Sequence, residues 1–301
     1  MLEYVRPPER ILECAPNRIA SFITASDAHV DEKTVRSFGE EWSRFGEFTD
    51  QDIQAAGDQY FDIVTPEMLP PGAVALDVGC GSGRWARYLA PRVGCIEAID
   101  PGDAVYAAAR LTAACGNVRV TQAGVGSMPF ADASVDFAFA LGVLHHVPDT
   151  AAALREMVMK LKPGGWCLLY LYYALETRGA AYRALYWLSN SLRTVVTRLP
   201  GPGKQLVCEM LAVVACAPLV GLAALVKAAF PDRAAYKSLP LSYYVGKSFY
   251  ILRNDALDRF GTPLEQRFTR KQIEAMMRAA GLCDIRFSEG APYWHAVGRR
   301  A

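Results

Sequence analysis

Between Leu76 and Trp85 the chain reads Leu-Asp-Val-Gly-Cys-Gly-Ser-Gly-Arg-Trp. Residues of these types at this spacing can bind a charged ligand through the backbone. Gly79, Gly81 and Gly83 alternate, which removes the Cβ atoms that would hold a ligand off the chain. A helical pattern follows from Trp85 to Leu89, so free N–H groups and the helix dipole are available to a carboxylate or phosphate. A dinucleotide fingerprint needs a third glycine at position 84, and Arg84 stands there. Asp100 lies 23 residues beyond Asp77. It can accept both hydroxyls of a ribose through charge-assisted bonds, or it can shape the turn Asp100-Pro101-Gly102. Leu141-Gly142-Val143-Leu144-His145-His146 supplies a third group. A histidine titrates near neutrality and can take a proton from an attacking hydroxyl; the pair can equally support its loop.

These groups need elements to hold them. Pro70-Pro71-Gly72 breaks the chain before a run at Ala73–Leu76, so the glycine turn lies between a strand and a helix. Ile96–Asp100, Val118–Val120, Val135–Leu141 and Trp166–Tyr172 read as further strands. Helices are expected over Val105–Ala114 and Thr150–Leu161. Alternating β and α units predict a doubly wound α/β sheet, with ligands beyond the strand C-termini. Thr269–Ala280 reads as a helix with Thr269 as N-cap and Gly281 at its end. Two strands, Cys283–Ser288 and Trp294–Gly298, then pair antiparallel. Residues 1–70 are expected to be a helical cap segment, in which Phe38, Trp42 and Phe45 either pack on the core or cover the cofactor cleft.

The chain has 301 residues, 52% of them apolar, and a net charge of +1. That suffices for a sizeable core and offers no basic footprint for nucleic acid. The N-terminal stretch lacks a basic region followed by an apolar one, so a cytoplasmic location is expected. Eight cysteines contain no CxxC pair, and there are four histidines. Reduced thiols, without metal or disulfide frame, are the expectation.

Four segments together resemble successive motifs of the class I S-adenosylmethionine-dependent methyltransferases: VALDVGCGSGRWARYLA, EAIDPGDAV, SMPFADASVDFAFALGVLHHVPD and LKPGGWCLLYL. They are most similar to the subgroup acting on small molecules, quinones, lipids and sugars. The resemblance covers roughly 72–172, with a weaker return at 269–301. It implies a Rossmann-like sheet of seven strands, mostly parallel with the last antiparallel, and S-adenosylmethionine across the ends of the first two. Gly79, Gly81 and Gly83, with Cys80, would approach its methionine part. Asp77 would order that loop and the amino group. Asp100, beside Pro101, would hold the ribose. Leu141 and the 124–126 stretch would complete the site. Where relatives often carry an acid or amide for the adenine amino group, this chain has Gly124. The contact would fall to backbone near Val125 and Gly126, or to Gln122 or Ser127.

The resemblance makes the chain an enzyme that methylates a small-molecule, glycan-precursor or lipid-linked acceptor, with oxygen as the target and no metal. His145 and His146 are its catalytic candidates. A non-catalytic cofactor-binding module and a nucleotide-dependent oxidoreductase are the alternatives. Tyr172, Tyr173, Tyr243, Tyr244, Trp294 and His295 are candidates for an acceptor wall, since aromatic faces suit a cationic centre. The region 175–268 reads as a helical lid inserted after the fifth core strand. Within it, 206–230 approaches a membrane span in length and apolarity, interrupted by Glu209, Pro218 and Lys227. A single span conflicts with the return of the last strands to the sheet. A hairpin broken at Pro218 is expected, favouring a buried lid over peripheral membrane contact.

Overall fold

The computed structural model describes residues 1–14, 17–24, 29–44, 48–230, 234–290 and 294–301. The chain divides into two compact units, Met1–Glu176 with Leu264–Ala301, and Thr177–Pro263.

The first unit is built on one sheet: β1 (Arg10–Cys14), β2 (Asn17–Ser21), β3 (Val74–Val78), β4 (Cys95–Asp100), β5 (Val118–Gln122), β6 (Val135–Leu141), β7 (Leu161–Tyr170), β8 (Leu282–Phe287) and β9 (His295–Arg300). Their order is β1-β2-β5-β4-β3-β6-β7-β9-β8. From β5 to β7 every neighbouring pair is parallel. β9 runs antiparallel between β7 and β8. The expected seven strands are those from β5 to β8, but the sheet has nine. The extra two correct the reading of the N-terminal segment as helical. β1 and β2 form an antiparallel hairpin, and β2 adds parallel to β5. Paired there, it satisfies backbone groups that an edge strand would leave open. The residues before the hairpin reach β4 and β5: the Leu2 N–H donates to Glu97 Oε1 at 2.7 Å, and Tyr4 shares a 2.8 Å hydrogen bond with Thr121.

The helices of this unit are α1 (Glu32–Arg44), α2 (Asp50–Tyr60), α3 (Arg84–Leu89), α4 (Ala104–Leu111) and α5 (Thr150–Lys160), with α10 (Arg270–Ala279) late in the chain. Thr269 caps α10 as expected, accepting from the Gln272 N–H at 3.2 Å. β3 has β4 on one side and β6 on the other, so the chain leaves it in opposite directions and opens a crevice at the strand C-termini. Phe137, Phe139 and Leu168 fill the core beneath with no solvent exposure.

The second unit contains α6 (Ala180–Val196), α7 (Gly201–Leu211), α8 (Ala217–Ala229) and α9 (Phe249–Gly261). Pro218 does not break a hairpin. α7 and α8 run on as one 29-residue helix, Gly201–Ala229, through a π-turn at Ala212–Cys216. The extra residue of such a turn relieves the clash of a proline ring with the preceding turn and its missing N–H. Buried Arg193 of α6 ties the unit together, donating to the carbonyls of Thr262 at 2.9 Å and Pro263 at 2.8 Å.

Gly57 of α2 sits on the Tyr88 ring of α3, where a Cβ would lie 2.1 Å from a ring carbon. Alanine would gain about 1 kcal/mol of helix propensity, but overpacking costs about 1–3 kcal/mol. Gly57→Ala should therefore lower the thermal midpoint; an unchanged or raised midpoint would contradict this helix contact.

Candidate cofactor and acceptor site

The turn after β3 is fastened to the end of β4. The N–H groups of Gly79 and Cys80 both donate to the Ile99 carbonyl, each at 2.8 Å. The Gly81 N–H donates to Asp100 Oδ2 at 3.1 Å, and the Gly102 N–H to Asp100 Oδ1 at 2.8 Å. Asp100 thus organises both loops of the crevice. Its pKa is raised by burial, against the lowering effect of those two N–H groups.

Packing within the protein requires glycine at two of these positions. Gly79, Gly81 and Gly83 have φ of 73°, 52° and 82°, the left-handed region that glycine adopts without penalty. A Cβ on Gly79 would lie 2.3 Å from Val143, and one on Gly83 3.0 Å from Ala108. The room the sequence assigned to a ligand at those two positions is taken by packing. Cys80 is buried, and burial pushes its thiol pKa well up. It stays protonated.

Asp77 ends up under the turn, fully buried. Its oxygens make no hydrogen bond of ordinary geometry. Its pKa is driven well above the carboxylate range by burial first and Asp100 second, with the Ala86 N–H and Arg84 opposing weakly. A buried carboxylate without a donor is costly, and a ligand ammonium is the group that would satisfy it.

Gly124 opens the short turn Val125–Ser127. Its N–H donates to Ser127 Oγ at 2.9 Å, and Gln122 Oε1 accepts from Ser21 Oγ at 2.7 Å. Both side chains offered for adenine are therefore engaged within the protein. Pro101 continues the β4 loop, and Leu141 is buried at the end of β6.

The two histidines separate. His146 Nδ1 is 2.6 Å from the Leu264 carbonyl, and Phe38 packs edge-on against its ring at 4.9 Å. It fixes a loop. His145 is fully buried with no hydrogen-bond partner at either nitrogen. Its ring stacks on Tyr172 at 3.7 Å, and Arg267 lies 5.1 Å over the same tyrosine. Burial, then His146 and Arg267, hold the His145 pKa well below its usual value, so the imidazole is neutral at pH 7.

The residues of the expected aromatic wall divide between the two units, Tyr172, Tyr173, Trp294 and His295 in the first and Tyr243 and Tyr244 in the second. Tyr172 joins His145. Tyr173 and Trp294 are buried against each other at 5.5 Å. Tyr243 and Tyr244 belong to the second unit, where the Tyr244 hydroxyl donates to Asp255 at 2.6 Å. His295 Nε2 lies 2.6 Å from Asp62 Oδ1, and Asp62 Oδ2 accepts from Ser288 Oγ at 2.6 Å. Tyr60 links Trp85, Tyr170 and His295 at 4.9, 5.2 and 6.2 Å. Sequence reasoning missed Tyr60, Asp62 and Arg267, which sit outside every motif. α1 also reaches the crevice: a Cβ on Gly102 would lie 3.0 Å from Val35. With Phe38 on His146, it touches both the β4 and β6 loops. Phe45 and the Trp42 side chain lie outside the described residues.

A buried acid and a glycine turn, at the point where strand order reverses, define a nucleoside-binding α/β domain. Residues 76–169 match the methyltransferase domain family, and this stretch of the chain is similar to the class I S-adenosylmethionine-dependent methyltransferases. An uncharacterized methyltransferase of Mycobacterium tuberculosis is 28% identical over 131 residues, 43% of this chain and 66% of that one. The ubiquinone biosynthesis O-methyltransferase of Pseudomonas paraeruginosa is 35% identical over 101 residues, 33% of this chain and 44% of that one. The chain thus spans less than two thirds of the length of the curated relatives it matches. Human N-acetylserotonin methyltransferase in complex with its cofactor shares the fold, with a TM-score of 0.50 at 17% identity, over 88% of this chain and 57% of that one. The family match sets aside the oxidoreductase reading. The site fits the family's cofactor, since Asp77 is buried with no hydrogen bond of ordinary geometry and its ionised form could take a ligand ammonium. Among the described residues no group of three or more His, Cys, Asp or Glu is placed to hold a metal.

The pH behaviour of Asp77 follows from its raised pKa. The folded chain holds a proton that the unfolded chain releases near 3.8. Stability of the free protein should therefore fall as pH rises from that range through the raised value. Cofactor affinity should rise over the same window, because only the ionised carboxylate attracts an ammonium. Asp77→Asn should weaken binding by about 1.5–3 kcal/mol and flatten its pH dependence. Calorimetry at several pH values checks both; an unaltered pH profile in a folded variant would remove Asp77 from the site.

Proposed function

We propose that the chain transfers the methyl group of S-adenosylmethionine to an oxygen of a small-molecule, glycan-precursor or lipid-like acceptor. The observation that carries this reading is the buried Asp77, with no hydrogen bond of ordinary geometry, beneath a turn held by Asp100, within a stretch that matches methyltransferase domains. Asp77 would pair with the amino group of the cofactor. Asp100 would accept from the ribose hydroxyls with its remaining lone pairs. The engaged Gln122 and Ser127 leave the adenine to backbone groups at Gly124, Val125 and Gly126.

The bound cofactor supplies an activated methyl group on a sulfonium, so the protein's task is alignment and exclusion of water. His145 is the general base of this reading. Its neutral imidazole has an unprotonated nitrogen with no other partner. An acceptor hydroxyl would give its proton to that nitrogen as the oxygen–carbon bond forms and the carbon–sulfur bond breaks, leaving S-adenosylhomocysteine. Tyr172, stacked on the ring, holds it in place. Oxygen as target draws support from the relative named as an O-methyltransferase, and the lipid-like class from the apolar second unit.

A second reading, a cofactor-binding module without turnover, is favoured by the burial of His145 beneath Tyr172. The histidines tell the two apart. In an assay of methyl transfer to a panel of quinol, phenolic and glycolipid acceptors, His145→Ala should lower kcat by about 10²–10⁴-fold, the usual loss of a general base. Cofactor affinity should stay within about twofold, because Asp77 and Asp100 are unchanged. His146→Ala should act through stability instead, since it loses the Leu264 carbonyl. Equal activity of His145→Ala and the parent would remove His145 as base, and turnover with no acceptor of the panel would favour the binding module.

A further inference from the structure

The second unit presents a surface that its fold leaves unfilled. Of the nineteen large apolar side chains exposed among the described residues, fifteen lie in Thr177–Pro263. They are ordered. On α6, Leu185, Leu188, Leu192 and Val195 recur at helical spacing and are all exposed, while Arg193 and Val196 are buried. Beside that stripe, Trp187 is 71% exposed. The long helix repeats the arrangement: Cys208, Ala212, Cys216 and Ala223 are buried, while Leu206, Met210, Val213, Val214, Leu222 and Leu225 are exposed. Only 22% of its most apolar stretch is buried. Small residues thus pack the long helix into its unit, Arg193 and Val196 do so for α6, and large apolar side chains lie outside on both.

Charge separates in the same way. Thr177–Pro263 carries eleven Lys and Arg against four Asp and Glu, a net +7, so the rest of the chain carries −6. No acid lies between Glu176 and Glu209, whereas Arg178, Arg183, Arg193, Arg198 and Lys204 do. Arg183, Arg198, Lys227, Lys237 and Lys247 are exposed. Large apolar side chains flanked by exposed cations are the composition of a helix that lies in a lipid interface, with its basic residues at the headgroups.

We propose that the second unit docks on an anionic lipid bilayer, with α6 and the Gly201–Ala229 helix lying in the interface. The apolar stripes enter the acyl boundary and the exposed Lys and Arg meet the headgroup phosphates. Two copies of the unit would repel each other at +7 apiece, which argues against self-association. A transmembrane placement is disfavoured by the Glu209–Arg253 ion pair at 2.5 Å, which ties the helix to α9. The inference goes beyond the methyl-transfer reading and does not depend on it.

The test is flotation of the full chain with phosphatidylcholine vesicles, with and without 30% phosphatidylglycerol. Binding to the anionic vesicles should be at least about tenfold tighter, since each Lys or Arg near such a surface is attracted to the lipid charge. It should weaken in 0.5 M salt, which screens those charges. Trp187 should emit at shorter wavelength on binding, a change absent from Trp187→Phe. Leu188→Glu with Leu192→Glu should cut binding at least about tenfold while the helical circular dichroism and thermal midpoint persist. If the chain floats with neither vesicle, if the double variant floats like the parent, or if it only dissociates a dimer, the proposal is overturned. It is likewise overturned if the double variant unfolds without vesicles, for then these faces pack within the chain as a lid would.

Discussion

The carbonyl of Ile99 and the carboxylate of Asp100 hold the glycine turn in place, and the geometry of the site depends on that attachment. Four N–H groups, of Gly79, Cys80, Gly81 and Gly102, end on these two acceptors. Asp77 lies buried beneath that turn with no hydrogen bond of ordinary geometry. Val143 packs where a Gly79 side chain would be, so the β6 loop is fitted to the same turn. A burial cost is concentrated on one carboxyl group, which either a proton or a cationic ligand group relieves.

The proton-accepting side of the crevice follows the same logic with the opposite sign. His146 is committed to a carbonyl and to Phe38 of α1. His145 is surrounded by a tyrosine face, a second imidazole and a guanidinium, and burial together with the last two opposes its protonation. Such surroundings keep an imidazole neutral. Two adjacent and identical residues therefore have different work because one faces a backbone acceptor and the other does not.

The second unit solves a different problem. A helix as apolar as Gly201–Ala229 needs a partner along its length, and small residues on one side give it a tight contact with its own unit. Pro218 is absorbed by a π-turn and not by a break, which keeps the helix long and leaves its outer side continuous. Cations gather in this unit and acids in the remainder, a separation that the near-zero net charge of the whole chain conceals.

Much of the first unit was legible in the sequence because its determinants are local. Alternation of β and α patterns, the 79–83 glycines, Asp100 at the end of its strand, and Thr269 and Gly281 around α10 all act within a few residues of themselves. The final antiparallel pair followed from its short connection. Other features came only from tertiary contacts. Nothing in Arg10–Cys14 or Asn17–Ser21 names its partner; the open edge of β5 does. The different fates of His145 and His146 were settled by Leu264, over a hundred residues away. Tyr173 and Trp294 became core, Tyr172 joined the crevice, and Tyr60, Asp62 and Arg267 arrived from outside every motif. Local spacing determines which backbone conformations and caps are available, and hence the strands, the turn and the acid under it. Which side chains end up satisfied, neutral or exposed depends on neighbours distant in sequence, and that only packing could decide.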